Sequence, residues 1–179
     1  MVGLGGVIIA YMEIGERTPP ELVGDERETL TSVLQWQRDT LMVKCAGLSA
    51  EQLRRRAVAP SGLSLLGLVR HLAEVERGWF RNVLAGEDVR GYFPKNADGE
   101  WTEFHVEHAD PEESFRIWRE TCERSREIVA AAESLDVTGH FGDQAYSLRY
   151  VLAHMIEEYA RHNGHADLLR EAVDGVTGE

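Results

Sequence analysis

The chain has 179 residues, of which 43% are hydrophobic and 28% are charged, and its formal net charge is −12. This length and composition are typical of one globular domain with a real core. The acidic balance and the lack of a basic patch argue against nucleic acid as a partner, and no window approaches the ~20 apolar residues of a membrane span. Cys45 and Cys122 form no CxxC pair, so we expect reduced core cysteines in a cytoplasmic protein.

Residues 1–20 are predicted to be an N-terminal extension, and 21–179 a single domain. Val7–Met12 is apolar, but no Lys or Arg precedes it and no small-residue cleavage site follows, so it makes a poor signal peptide. The glycines near the start disfavour a stable helix, and Pro19-Pro20 closes the segment.

The first amphipathic helix is predicted to begin after Asp25, with Glu28 completing a capping box, and to end at Gly47. Gln37 is a polar exception on its inner stripe. It either bonds a neighbouring backbone or forms part of a pocket wall. A short helix, Ala50–Arg56, is expected next.

The second long helix is predicted over Leu65–Ala85, capped by Ser64. His71 falls within its apolar stripe, where a histidine is ordinarily a hydrogen-bonded core residue. Glu74 and Glu76 are expected at the surface. The rest of the stripe is Leu68, Leu72, Val75 and Trp79.

The segment Gly86–Ala109 has no sustained hydrophobic period and is rich in glycine, aspartate and aromatic residues. A loop this long in a compact domain is usually functional or mobile. We expect it to pack over one end of the helices through its aromatic side chains. His105 and His108 are expected at its surface.

The third helix is predicted to begin at Asp110-Pro111 and to reach about Glu133. Its inner side chains become smaller along the helix, which indicates either a cavity or a close helix approach. A second loop, Ser134–Ser147, is expected to leave His140 exposed. The inner residues are Phe115, Trp118, Cys122, Ser125 and Val129.

The last helix is predicted over Leu148–Glu171, LRYVLAHMIEEYARHNGHADLLRE. At about 100° per residue, His162 lies roughly 40° round from Glu158, inside the apolar stripe. Glu158 lies at the edge of the stripe and His165 just outside it, roughly −20° away. A carboxylate and an imidazole four residues apart share one face of a helix, and this face points at the core.

A buried carboxylate needs a cation, a hydrogen-bonded partner or a metal. For Glu158 the simple alternative to a metal is a pair with Arg161, Arg149 or a histidine. His71 favours the metal hypothesis, because with it a second helix also directs a possible metal ligand toward the core. Four capped amphipathic helices, with a long loop between the second and third, predict an all-α, antiparallel four-helix bundle.

The stretches PSGLSLLGLVRHLAEVERGW and LRYVLAHMIEEYARHNGHADLLRE resemble the DinB/YfiT-like superfamily. They look closest to its branch related to the metal-binding domain of mycothiol-dependent maleylpyruvate isomerase. The HxxxHxGQ run of many members reads here from Glu158 to His165, with Glu158 and His165 replacing its first histidine and its glutamine. The resemblance implies a four-helix bundle with a divalent metal, zinc first and nickel second, held by His71, Glu158 and His162. His165 is an additional candidate ligand that would close the open coordination position.

The resemblance also implies a function, a low-molecular-weight-thiol (mycothiol-type) dependent transferase or isomerase acting on a small electrophile. Three ligands and an open position are typical of catalytic zinc, and a bound metal lowers the pKa of a thiol or of water. Hydrolysis by metal hydroxide fits the same ligands. A hypothesis from another class is a non-catalytic metal- or small-molecule-binding bundle acting as a dimerising module. Neither catalytic nor thiol-binding residues can be named from the sequence.

Overall fold

The computed structural model describes residues 17–177. The predicted extension, 1–20, therefore lies largely outside the described residues, and the domain division stays a prediction. Within the described range the elements are α1 (Glu26–Cys45), α2 (Ala50–Arg54), α3 (Leu65–Glu76), a π-helix (Arg77–Leu84), a short 3₁₀ turn (Thr102–Phe104), α4 (Pro111–Ala131), β1 (Thr138–Phe141), β2 (Gln144–Ser147) and α5 (Leu148–Asp174).

The helices begin where capping chemistry predicts. The Asp25 side chain accepts from the backbone N–H of Glu28, and the Glu28 side chain accepts from the backbone N–H of Asp25. Ser64 and Ser147 cap α3 and α5 through their hydroxyls, each accepting a backbone N–H three residues on. Such caps satisfy N–H groups that have no partner inside the helix, so they fix the start of each element.

The mainly helical class is confirmed, and the helices enclose one apolar core. Helix α1 packs against α5, α3 packs against α4, and α3 also contacts α1 and α5. Residues from all four long helices are fully or almost fully buried, among them Leu34, Leu41, Leu68, Leu72, Phe115, Trp118, Val151, Leu152, Met155 and Tyr159.

The expectation of no sheet was wrong, since part of the second predicted loop forms a β-hairpin. Strands β1 and β2 pair in antiparallel register, with Gly139 opposite Tyr146. A Cβ on Gly139 would lie 1.9 Å from the carbonyl oxygen of Val83. The hairpin can therefore lie directly against the end of the π-helix because residue 139 is a glycine.

The second predicted helix is continuous in sequence but changes type. It runs as an α-helix to Glu76 and then as a π-helix over Arg77–Leu84. The apolar pattern of the sequence does not distinguish an α-helix from a π-helix, because in both types apolar side chains can face the core. A π-helical turn inside a helix is rare and often lies at a functional site.

The surface assignment of Glu76 was also wrong. Glu76 is fully buried, and its two carboxylate oxygens accept from Nε and Nη2 of Arg38 at 2.7 and 2.8 Å. The same carboxylate accepts from the hydroxyl of Tyr159 at 2.9 Å and lies 3.5 Å from Sγ of Cys122. One side chain of α3 thus contacts α1, α4 and α5. Cys122 of α4 approaches this network closely, and further along α4 Val129 and Ala130 line a pocket of about 500 Å³, so both predicted consequences of the small inner residues are seen.

Glu74, also expected at the surface, is mostly buried. Its side chain is 10% exposed, and its Oε2 accepts from Nε of Arg77 at 2.7 Å. Its other oxygen accepts from the backbone N–H of Phe93 at 2.7 Å. This carboxylate therefore anchors the long loop to α3.

A second anchor holds the loop between α3 and α4. Nε and Nη2 of Arg70 donate to the carbonyls of Glu103 and Thr102, each at 2.9 Å. The ring of Phe104 packs so closely on Gly67 that a Cβ there would meet it at 3.1 Å. The predicted packing by aromatic side chains is seen for Phe93, which is buried, but Trp101 is 55% exposed.

Candidate metal centre

His71 of α3 and Glu158 and His162 of α5 converge, as the sequence predicts. One ligand atom from each can be chosen so that all three lie within 4.8 Å of one another. Oε1 of Glu158 lies 3.4 Å from Nε2 of His71 and 3.5 Å from Nε2 of His162. The side chains of His71, Glu158 and His162 are 21, 19 and 11% exposed. The group is therefore mostly enclosed, with a limited opening to solvent.

In both histidines the second ring nitrogen, Nδ1, lies close to another side chain. Nδ1 of His71 lies 3.6 Å from Oε1 of Glu103. Nδ1 of His162 lies 3.3 Å from Nδ1 of His165. His165 thus stands behind the ring of His162, on the side away from Glu158.

The distances from Glu158 to the two histidines fit a shared metal ion better than they fit hydrogen bonds. Distances of 3.4 and 3.5 Å are long for hydrogen bonds between a carboxylate and an imidazole. Two ligands of a tetrahedral zinc, each about 2.0–2.1 Å from the ion, lie roughly 3.3–3.4 Å apart. Two imidazoles and one carboxylate are also a donor set that divalent transition metals accept.

The two arginines that could have neutralised Glu158 are engaged elsewhere. Arg161 donates to Glu157 at 2.9 Å. Arg149 donates to Glu26 at 2.7 Å and also pairs with Asp136. Of the partners that the sequence offered to Glu158 in place of a metal, a histidine is therefore the one that remains.

The environment of His162 favours its neutral form, which is the form that binds a metal. Burial, together with the nearby rings of His71 and His165, lowers the pKa of His162 from its ordinary value of 6.5 to about 4, although the Glu158 carboxylate opposes the shift. The imidazole is therefore neutral at neutral pH, which is the form that binds a metal.

A family model described as mycothiol S-transferase matches residues 29–175, which is most of the chain. The chain belongs to the mycothiol S-transferase family. This confirms the resemblance to the DinB/YfiT-like superfamily. No curated protein and no solved structure matches the chain. Among the described residues, no helix is long and apolar enough to cross a membrane.

In this member of the mycothiol S-transferase family, the protein's own thiols are poorly placed to act as nucleophiles. Both cysteines are free and buried. Burial raises the pKa of Cys45 to about 12, and burial beside Glu76 raises the pKa of Cys122 above its usual range. A protonated, enclosed thiol is unreactive at neutral pH. A reacting sulfur would therefore come from a bound thiol.

Sequence reasoning missed Glu103, the carboxylate beside His71. It lies in a segment without hydrophobic periodicity, where no helical face can be assigned. Glu103 is nevertheless buried, at 8% exposure. A signal was available, since the aromatic side chains around it indicated that this loop packs on the protein.

Proposed function

We propose that this protein transfers a low-molecular-weight thiol of the mycothiol type to a small electrophile, using a divalent metal held by His71, Glu158 and His162. The observation that carries the proposal is the convergence of these three groups, from two helices, in a chain of the mycothiol S-transferase family. Zinc suits two imidazoles and one carboxylate, and nickel is the second choice.

A divalent ion at this position would lower the pKa of a coordinated thiol, so that the nucleophilic thiolate prevails at neutral pH. The chain's own residues supply the conditions for this chemistry. His162 is neutral because its pKa is lowered, and Glu158 provides a single negative charge. Three ligands leave room for a small molecule, which is the arrangement of catalytic rather than structural zinc.

We also infer that the four long helices form the antiparallel four-helix bundle expected from the sequence. The packing of α1 on α5 and of α3 on α4 supports it, as does Glu76, which contacts the other three long helices. A cytoplasmic location would keep Cys45 and Cys122 reduced and supply small thiols. A homodimer remains a prediction from the sequence.

The test is a thiol-consumption assay on protein purified without an affinity tag. With mycothiol and an electrophile, we expect metal-loaded protein to consume thiol faster than the uncatalysed reaction, and chelated protein to lose this activity. His71→Ala should lose it too. Metal binding without thiol consumption would instead support the non-catalytic binding module.

A further inference from the structure

A cleft of about 530 Å³ begins at His71 and runs along one face of α3 and the π-helix. The long loop borders it through Trp101 and the β-hairpin borders it through Phe141 and Tyr146, while Trp79 belongs to the helical wall. We call this the aromatic cleft. Its volume lies within the range of small-molecule sites.

Two of the aromatic side chains that border the aromatic cleft are largely exposed. Trp101 is 55% exposed and Phe141 is 72% exposed, although both are large hydrophobic side chains. Trp79 is fixed in the wall by ring contacts with Tyr146 at 5.1 Å and with His154 at 4.7 Å. Exposed aromatic surface around a concave site is typical of a ligand-binding position.

The charged side chains of the cleft wall away from His71 are already paired. Arg77 donates to Glu74 at 2.7 Å and to the carbonyl of Val89 at 2.7 Å. The remaining oxygen of Glu74 accepts from the backbone of Phe93. In this part of the described cleft wall Oδ1 of Asn82 is a buried polar atom without a hydrogen-bond partner, and its Nδ2 donates to the carbonyl of Val89. A polyhydroxylated thiol placed here would therefore find few partners for its hydroxyls, whereas an apolar body would need none.

We propose that the aromatic cleft binds the apolar, aromatic body of the electrophile, with its reactive carbon at the His71 end. This assignment rests on the proposed thiol transfer and adds the substrate class. With a halogenated substrate, the sulfur lone pair forms the new C–S bond. The halide leaves with the electron pair of the C–halogen bond, and the thiol proton passes to water.

Gly78 offers a way to fill the cleft without disturbing the fold. It lies in the cleft wall, and a Cβ at this position would meet no described atom within 4 Å apart from its chain neighbours and the backbone of its own helix. Gly78→Leu should therefore fold normally and extend into the cleft, since leucine also has the higher helix propensity. Ala172→Leu, which adds the same side chain at an exposed position on α5, is the matched control.

The binding test uses the unreactive nitroaromatic 1,3-dinitrobenzene and intrinsic tryptophan fluorescence. We expect saturable quenching in wild type and Ala172→Leu, because Trp79 and Trp101 line the cleft, and loss of saturation in Gly78→Leu. Linear, unsaturable quenching in wild type, or an unchanged affinity in Gly78→Leu, would overturn the assignment. Circular dichroism checks that the variant is folded.

The kinetic test compares 1-chloro-2,4-dinitrobenzene with iodoacetamide, each with mycothiol. Gly78→Leu should lower the ratio of kcat/KM for the aromatic over the small electrophile about tenfold, a typical loss when a hydrophobic pocket is altered. Ala172→Leu should leave the ratio unchanged, and an unchanged ratio in Gly78→Leu would contradict the proposal. If wild type transfers neither electrophile, the proposed function fails, while the fluorescence titration still decides the cleft.

Glu103 and His71 lie side by side with buried polar atoms that lack partners. Within the described residues, Nδ1 of His71 and Oε2 of Glu103 are buried atoms without a hydrogen-bond partner. The other Glu103 oxygen lies 3.6 Å from Nδ1 of His71, just beyond hydrogen-bond distance. Leaving both buried groups unpaired costs free energy. A small movement of the Glu103 carboxylate toward His71 would let Nδ1–H of the imidazole donate a hydrogen bond to it.

The surroundings hold Glu103 at this position. The Arg70 guanidinium donates hydrogen bonds to the backbone carbonyls of Glu103 and Thr102. The ring of Phe104 stacks on His71 with 5.2 Å between ring centres. Metal-binding histidines usually donate their second N–H to a carboxylate or carbonyl, which fixes the ring and raises its basicity. We infer that Glu103 is a positioning residue that orients His71 toward the ion.

The test is the dissociation constant for Zn²⁺, measured by competition with a chromogenic chelator. Glu103→Gln should raise it about 10–100-fold, with Glu103→Asp recovering part of the affinity. The melting temperature of the metal-free protein should stay unchanged in Glu103→Gln, which a merely structural role would not allow. Glu100→Gln, at an exposed position of the same loop, is the control. Equal affinity in Glu103→Gln and wild type would overturn this role, whereas no binding by wild type would contradict the metal site itself.

Discussion

Replacing Glu76 by glutamine should destabilise the protein strongly, because it leaves a buried guanidinium without its counter-charge. Arg38 is 4% exposed and Glu76 is fully buried, and two hydrogen bonds of 2.7 and 2.8 Å join them. Burial alone would raise the pKa of Glu76, but the Arg38 charge and its hydrogen bonds hold that pKa below its usual value. Breaking a buried pair by removing one partner costs about 3–5 kcal/mol.

For a domain of this size, each kcal/mol shifts the melting temperature by about 2–4 °C, so Glu76→Gln should lower it by roughly 6–20 °C. Thermal unfolding followed by circular dichroism measures the shift. The control is Glu120→Gln, which breaks an exposed pair with Arg116 and should cost about 0–1 kcal/mol. Adding Arg38→Met to Glu76→Gln should recover part of the loss, because the unpaired charge is gone. A melting temperature for Glu76→Gln equal to that of Glu120→Gln would refute the role of this network.

Limited proteolysis should cut Gly86–Ala109 first in metal-free protein and more slowly with metal, because Glu103 and Phe104 of this loop contact His71; equal cutting would argue against the coupling. In the folded protein the pKa of His162 is lowered to about 4, whereas in the unfolded chain it has its ordinary value of about 6.5. Between pH 6.5 and pH 4 the unfolded chain therefore binds a proton at this residue and the folded protein does not. The free energy of unfolding of metal-free protein should therefore fall from pH 6.5 to pH 4, with a shallower slope in His162→Gln, and equal slopes would count against this shift. His165→Ala should leave the metal bound, because His165 lies behind His162, and metal analysis would detect a loss.

The metal-capable residues could be predicted because they lie on strongly periodic helices. The spacing of Glu158 and His162 places them on one face, and His71 lies on the inner stripe of its own helix. Arithmetic at 100° per residue therefore suffices to turn the three groups inward. The structure adds the distances between them, which join residues 87 positions apart in sequence.

The prediction that Glu76 lies at the surface was wrong, although its position in the helix indicates the core. It lies four residues after Leu72 and four before Phe80, both fully buried, so its helical position belongs to the core. Its charge argued for the surface, since carboxylates are rarely buried without a partner. The partner, Arg38, lies on another helix 38 residues earlier, and such a pairing cannot be read from periodicity.

The loop and hairpin residues could not be predicted in the same way. Glu103 and Trp101 lie where no period assigns a face, and their positions depend on anchors made by Arg70 and Glu74. The hairpin depends on Gly139 lying against Val83, a contact between distant segments. These long-range contacts shape the cleft, whereas helical geometry shapes the metal-capable group.

Metal content, measured by elemental analysis of protein purified without an affinity tag, is the most direct test of the proposed site. We expect one divalent ion per chain in wild type and in His105→Ala, an exposed histidine, and loss of the ion in His71→Ala. Because an ion bound only by the folded state stabilises it, metal at a hundredfold excess over the dissociation constant should raise the free energy of unfolding by about 2.7 kcal/mol. His71→Ala should abolish this gain and the rise in melting temperature that goes with it. Full metal occupancy in His71→Ala, with loss in His165→Ala, would contradict the assignment and place the ion on α5 alone.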